Sequence, residues 1–188
     1  MVVIAFSWIG NTWKSTIIRK IKKKYENDMS VIVLWENARD AINEVGMEDR
    51  AKLQQTIFDL EDVRAERLKE HAHEYDLVLV DRPRTDQLAY LQYNIVNWYI
   101  TEPVAIKTID YKGYDHIITF FAPIKKSRNF VDYYKGYEQI TSFIYPLYAA
   151  FPSFPKCQYK SFRNGMDSER EIMLHIEKII KKMGKNGQ

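Results

Sequence analysis

"FSWIGNTWKST", residues 6–16, ends a hydrophobic run and opens a basic helical stretch. A Walker A phosphate-binding loop reads G-x-x-x-x-G-K-[ST] between a strand and a helix. Laid on that pattern, Lys14 takes the lysine position, Ser15 the hydroxyl position, and Thr16 follows. The two glycine positions fall on Trp8 and Trp13, with Ile9, Gly10, Asn11 and Thr12 between them. The glycine requirement is physical. A backbone that wraps a phosphate with successive N–H groups pointing inward needs φ angles that other residues reach at a cost of about 1–3 kcal/mol. An indole at position 13 would also crowd the volume meant for the phosphates.

Several accounts of the tryptophans stand side by side. They are genuine and the loop is degenerate, or they are ordinary core residues and "WKST" is chance. Alternatively they are glycines. Some bacterial lineages and their phages read UGA as glycine where other alternative codes read tryptophan, so the wrong table would turn internal glycines into tryptophans. Restoring both positions gives "FSGIGNTGKST", a complete Walker A. Seven glycines in 188 residues is about half the usual share, and returning all four tryptophans to glycine would bring the total to eleven.

A chain of 188 residues suffices for one domain with a full core. The expected division is a single domain over 1–183 and a frayed tail, "GKNGQ", over 184–188. Hydrophobic residues make up 46% and charged residues 28%, the balance of a soluble globule. The formal net charge of +3 argues for no nucleic-acid partner by itself. The basic run Arg19–Lys24 reads first as a solvated helix face and second as a nucleic-acid contact. A single cysteine excludes a disulfide framework and a Cys-rich zinc site. No run approaches the ~18 apolar residues of a membrane span, and no signal peptide is evident, so a cytoplasmic protein is expected.

Five apolar runs read as strands: Val2–Ser7, Ser30–Trp35, Tyr75–Asp81, His116–Pro123 and Lys156–Phe162. Helical patterns follow four of them, one from Thr85 to Ile100 and a Tyr-rich one from about Phe130 to Ala150. A further amphipathic stretch spans about Lys52–His71, and a last helix closes the chain. Near-continuous β-branched runs alternating with helices predict a three-layer α/β/α fold around about five mostly parallel strands. Ligands bind such sheets at the carboxyl ends of the strands. Asp81 ends the third run, where a Walker B carboxylate would reach a Mg²⁺ shell. Glu36 directly follows the second, with Arg39 one helical turn on, and Thr85 or Asp86 offers an N-cap before "QLAYLQY".

The segments "VIAFS…KST", "ENARDAI", "YDLVLVDRPRTDQLAY" and "SEREIMLHIEKII" together resemble the NadR-like P-loop ATPase/kinase family. Its members include the ribosylnicotinamide kinase domain, and it lies near the deoxynucleoside and nucleoside-monophosphate kinases. The similarity runs in order over most of the chain and departs at Trp8 and Trp13. It implies ATP or GTP with Mg²⁺ as cofactors and a nucleoside- or nucleotide-like small molecule as acceptor. Lys14 would contact the β- and γ-phosphates, Ser15 would bind Mg²⁺, and Thr16 would hold the α-phosphate region. Asp81 would order a metal-bound water or contact the acceptor, and Glu36 would take the proton of the attacking hydroxyl. Arg82 and Arg39 would clamp the acceptor or the developing charge, with Asp86 on the substrate side. Lys125, Lys126 and Arg128, in "APIKKSRNF", would form a lid, Arg128 being the residue expected to reach the phosphates.

Phosphoryl transfer depends on positioning and charge neutralisation, so a lysine, a metal ion and an arginine are its expected parts. A nucleotide-binding regulatory module without an acceptor is the alternative from another class, and a catalytically dead scaffold the third. His71 and His73 at i, i+2 offer no supported metal site. His175 is expected at the surface and Cys157 buried in the fifth strand. Tyr133, Tyr134, Tyr137 and Tyr145 read as helix-packing residues before they read as a base-stacking platform.

Overall fold

The computed structural model describes residues 1–7, 13–105, 113–120, 139–144, 146, 157–162 and 168–186. In chain order the elements are β1 (Val2–Ser7), α1 (Lys14–Tyr25), β2 (Val31–Leu34), α2 (Ala38–Val45), α3 (Arg50–Glu70), a short 3₁₀ turn, β3 (Leu77–Asp81), α4 (Arg84–Val96) and β4 (His116–Phe120). Residues 139–144 are helical (α5). They are followed by β5 (Gln158–Phe162) and α6 (Glu169–Asn186). The last helix therefore carries three residues into the segment expected to fray, as propagation adds a backbone bond per residue.

The sheet has five strands in the order β2-β3-β1-β4-β5, all parallel. Burial follows from that order. Every residue of β3 and five of six in β1 are buried, whereas β2, at an edge, is half-buried throughout. This is why the two central strands read as unbroken apolar runs. Ile17, Ile18 and Ile21 of α1 and Ile172, Ile176 and Ile179 of α6 join those strands in one core. The crossover through α1 leads from β1 to β2, and the one through α4 leads from β3 to β4 on the other side of β1. Right-handed crossovers in opposite directions put their helices on opposite faces and open a crevice between the carboxyl ends of β1 and β3.

Local chemistry sets the helix ends. Asp49 caps α3, its carboxylate accepting from Lys52 N at 2.9 Å. The expected cap of α4 is not there: the helix begins at Arg84 behind Pro83, and neither Thr85 nor Asp86 caps it. Asp86 is fully buried and accepts instead from Ser7 Oγ at 2.6 Å. α4 also ends at Val96 rather than Ile100, for a clear reason. Trp98 N–H donates to Ile95 O (3.0 Å) and Tyr99 N–H to Asn94 O (2.9 Å), with Trp98 at φ 58°. That pair of bonds around a left-handed residue is the Schellman stop, whose left-handed position is normally glycine.

Among the described residues three non-glycines have positive φ: Trp13, Arg82 and Trp98. Trp13 and Trp98 are 43% and 83% exposed, and Trp35 is 41% exposed, so none of the three described tryptophans is a core residue. Two of them stand on backbone that suits glycine, and Trp35 does not. Replacing Trp98 with Gly removes a left-handed penalty of about 1 kcal/mol and gives up little packing. The expected outcome is a rise in melting temperature of about 2–4 °C, read by thermal denaturation. An unchanged or lower value would mean that the indole makes compensating contacts.

Candidate active site

Ser7, Asp81 and Arg82 lie at or just past the carboxyl ends of β1 and β3, and Glu36 follows β2. The register Phe6↔Asp81 and Leu34↔Val80 sets these ends side by side. Lys14, the first residue of α1, is 95% buried beside them. Burial, and after it the charge of Arg82, pushes its pKa down to about 8 against the pull of Asp81, Asp86 and Glu36. An ammonium so enclosed is a binding group for a strong anion.

Ser15 Oγ donates to Asp81 Oδ2 at 2.6 Å, while buried Asp81 Oδ1 has no hydrogen-bond partner among the described residues. A hydroxyl and a carboxylate with an unsatisfied buried oxygen form a hard oxygen-donor pair, which suits Mg²⁺ held partly by phosphates and water. No group of three His, Cys, Asp or Glu side chains gathers as a metal site among the described residues.

Arg82 sits at φ 70°, in the strained left-handed region, and is 7% exposed. Its N–H bonds Phe6 O at 3.0 Å, its Nη1 lies 3.0 Å from Glu36 Oε1, and its guanidinium stacks 4.8 Å over the Tyr90 ring. Burial opposes its charge, and the Tyr90 hydroxyl with Glu36, Asp86 and Asp81 more than restores it. Strain held in place by so many contacts is typical of a functional turn.

The structure thus brings Lys14, Ser15, Glu36, Asp81 and Arg82 together. Asp86 lies inside the same cluster, its carboxylate engaged with Ser7 at the start of the loop. Arg39 is exposed on α2, one turn beyond Glu36. Trp13 is the residue before α1, at φ 64° and ψ 17°. Trp8, Ile9, Gly10, Asn11 and Thr12 lie outside the described residues, as do Lys125, Lys126, Arg128, Tyr133, Tyr134, Tyr137 and Tyr145.

Sequence reasoning missed the layer beneath the site. Glu61 of α3 is 3% exposed, is paired with Arg64, and accepts from Asn37 Nδ2 at 3.4 Å. Burial lifts its pKa to about 7 against Arg64 and Arg84. Arg84 pairs with Asp62 and stacks 5.6 Å from Phe58, and its N–H donates to the Tyr114 hydroxyl at 3.3 Å. Glu61 and Arg64 read as ordinary surface charges of an amphipathic helix. The only signal available was that an acid, Glu61, falls on the α3 face that also buries Ile57 and Phe58.

Two peripheral expectations change. His175 is half-buried, edge-on to Phe162 at 5.9 Å, because α6 packs on β5. Cys157 precedes β5 and is only half-buried. The basic run of α1 is a solvated helix face, as expected, with three exposed ion pairs: Lys20 with Glu169 (2.6 Å), Lys22 with Glu26 (3.0 Å) and Lys24 with Glu177. Two of these pairs, Lys20–Glu169 and Lys24–Glu177, join α1 to α6 across a solvated face. No described helix is long and apolar enough to cross a membrane.

The architecture has close counterparts among solved structures. Deoxyadenosine kinase from M. mycoides with bound dCTP superposes with a TM-score of 0.66 at 15% identity, over 96% of this chain and 100% of that one. The fold is that of the nucleoside-kinase P-loop proteins. The same enzyme with bound dATP gives 0.61 at 16% identity, over 95% of this chain and 99% of that one. Thymidylate kinase from Candida albicans gives 0.63 at 11% identity, over 97% and 93%. No protein-family model matches the chain, and no curated protein matches it in sequence.

Proposed function

We propose that this protein transfers the γ-phosphoryl group of ATP to a hydroxyl or phosphate oxygen of a small nucleoside- or nucleotide-like acceptor. The observation that supports it most is the cluster of Lys14, Ser15–Asp81 and Arg82–Glu36 at the carboxyl edge of a nucleoside-kinase fold. In this reading Lys14 holds the β- and γ-phosphates, with the backbone of residues 8–13 around them and Thr16 toward the α-phosphate. Ser15 and Asp81 would hold Mg²⁺, which when bound neutralises phosphate charge. Glu36 takes the proton of the acceptor hydroxyl as its oxygen bonds to the γ-phosphorus. The bond from that phosphorus to the bridging oxygen breaks, and ADP leaves. Arg82 and Arg39 steady the acceptor, Asp86 sets the loop through Ser7, and Arg128 closes over the phosphates. The resemblance to NadR-like proteins adds ribosylnicotinamide to the acceptors worth trying, and GTP is the second donor.

The test is ADP release by the chain carrying Trp8→Gly and Trp13→Gly, across nucleosides, nucleoside monophosphates and ribosylnicotinamide. Acceptor-dependent release at ten times the acceptor-free rate or more is the expected result. Tight nucleotide binding with no acceptor dependence would favour the regulatory module instead.

Lys14 predicts a pH dependence. Its pKa in the bare site is about 8, and bound polyphosphate raises it. Affinity is therefore full below pH 8 and weakens above it, by up to about tenfold per pH unit, with proton uptake on binding. Calorimetry with ATP between pH 7 and 9.5, in buffers of different ionisation enthalpy, reads both. Flat affinity without proton uptake would place Lys14 away from the phosphates.

A further inference from the structure

Glu36 leaves the sheet on a short irregular segment, Trp35–Asn37, between β2 and α2. Such a segment has few backbone bonds of its own to hold it. Two side chains of α3, Glu61 and Arg64, reach it from below. Arg64 Nη1 donates to Trp35 O at 2.8 Å, and its Nη2 pairs with Glu61. Glu61 in turn accepts from Asn37 Nδ2 at 3.4 Å. The residues on both sides of Glu36 are thereby tied to one ion pair, with Glu61 buried and Arg64 nearly so. Asn37 is the N-cap of α2, yet its side chain makes no capping bond. An asparagine there ordinarily bonds the helix's own N–H groups, and this one turns toward Glu61 instead.

We infer that Glu61 and Arg64 form a clamp that positions Glu36, acting through the backbone of Trp35 and the side chain of Asn37. The inference rests on the reading of Glu36 as the proton acceptor. Neither clamp residue needs to touch substrate. Arg82 fixes Glu36 from the crevice side at 3.0 Å, and the clamp fixes its main chain from the other, so the carboxylate keeps one orientation. Arginine is required at position 64 because one planar guanidinium serves the carboxylate and the carbonyl together. A lysine there keeps the charge beside Glu61 and loses the fork. An ångström of drift at a general base costs about 10²-fold in rate, which sets the size of the effect.

The experiment compares Arg64→Met and Arg64→Lys in the Trp8→Gly/Trp13→Gly chain, alone and combined with Glu36→Gln. A clamp predicts that Arg64→Met lowers kcat about 10–100-fold and leaves nucleotide affinity within twofold. Arg64→Lys should fall between it and the parent. In the Glu36→Gln background neither substitution should lower kcat further, because the group being positioned is already gone. Additive losses would overturn the clamp and leave a general structural role. A second readout needs no turnover. With Trp98 also replaced by Gly, Trp35 is the sole tryptophan, and its fluorescence anisotropy reports the order of the segment. Arg64→Met should lower it and Arg64→Lys less so, with the melting temperature of Arg64→Lys within about 3 °C of its parent. Unchanged anisotropy in both overturns the clamp. If the parent transfers phosphate to no acceptor, the proposed reaction falls, and the anisotropy still decides whether α3 holds Trp35–Asn37.

Discussion

Replacing Trp8 and Trp13 together with glycine is expected to raise the affinity for Mg·ATP by about 100-fold or more. Trp13 stands at φ 64° immediately before Lys14, a conformation in which a bulky side chain is strained and glycine is not. Position 8 is the other glycine of the pattern. Where binding must force tryptophan into the phosphate-wrapping conformation, a cost of about 1–3 kcal/mol per position corresponds to about fivefold to more than a hundredfold, before the volume freed by two indoles is considered. Titration calorimetry of the two forms reads the difference. Equal affinity would mean that the tryptophans belong to a loop of another kind. The codons at positions 8 and 13 give an independent check, and anything but UGA there excludes misread glycines. The geometry at Trp98 extends the same expectation to a third codon, whereas nothing in the backbone of Trp35 asks for glycine.

Glu36→Gln is expected to lower kcat by about 10²–10⁴-fold and to leave nucleotide affinity within twofold. Gln keeps the shape of the side chain and can still accept from Arg82 Nη1, so the scaffold stays while the proton acceptor is removed. Ser15 and Asp81 hold each other through Ser15 Oγ at 2.6 Å, a contact the substitution does not touch, which is why binding should survive. Rapid-quench measurement of a single turnover isolates the chemical step from product release. A loss under threefold would move the proton elsewhere and return Glu36 to the role of an anchor for Arg82.

The fold was legible because the informative segments are long and chemically uniform. β1 and β3 are buried on both faces and read as unbroken apolar runs, and the register of a parallel sheet then fixes where their ends lie. Lys14, Ser15, Asp81 and Glu36 were legible for the same reason, since each directly follows or opens a periodic segment. Contacts that cross the fold were not. Asp86 looked like a helix cap, and only the packing of α4 under β1 shows its bond to Ser7, 79 residues away. Glu61 and Arg64 sit at i, i+3 on a helix, where such pairs are usually solvated; their burial depends on the segment after β2 folding over them. Likewise Trp98 reads as one more aromatic of α4 until its φ angle ends the helix.

The most direct test of phosphoryl transfer follows the group itself. The Trp8→Gly/Trp13→Gly chain would be incubated with ATP labelled at the γ-phosphate and with each acceptor in turn, and the label traced by chromatography. Label arriving on one nucleoside- or nucleotide-like acceptor, and lost with Glu36→Gln, is the predicted result. Label found only as inorganic phosphate, or remaining on ATP with every acceptor, would contradict a kinase and leave the chain with the fold alone.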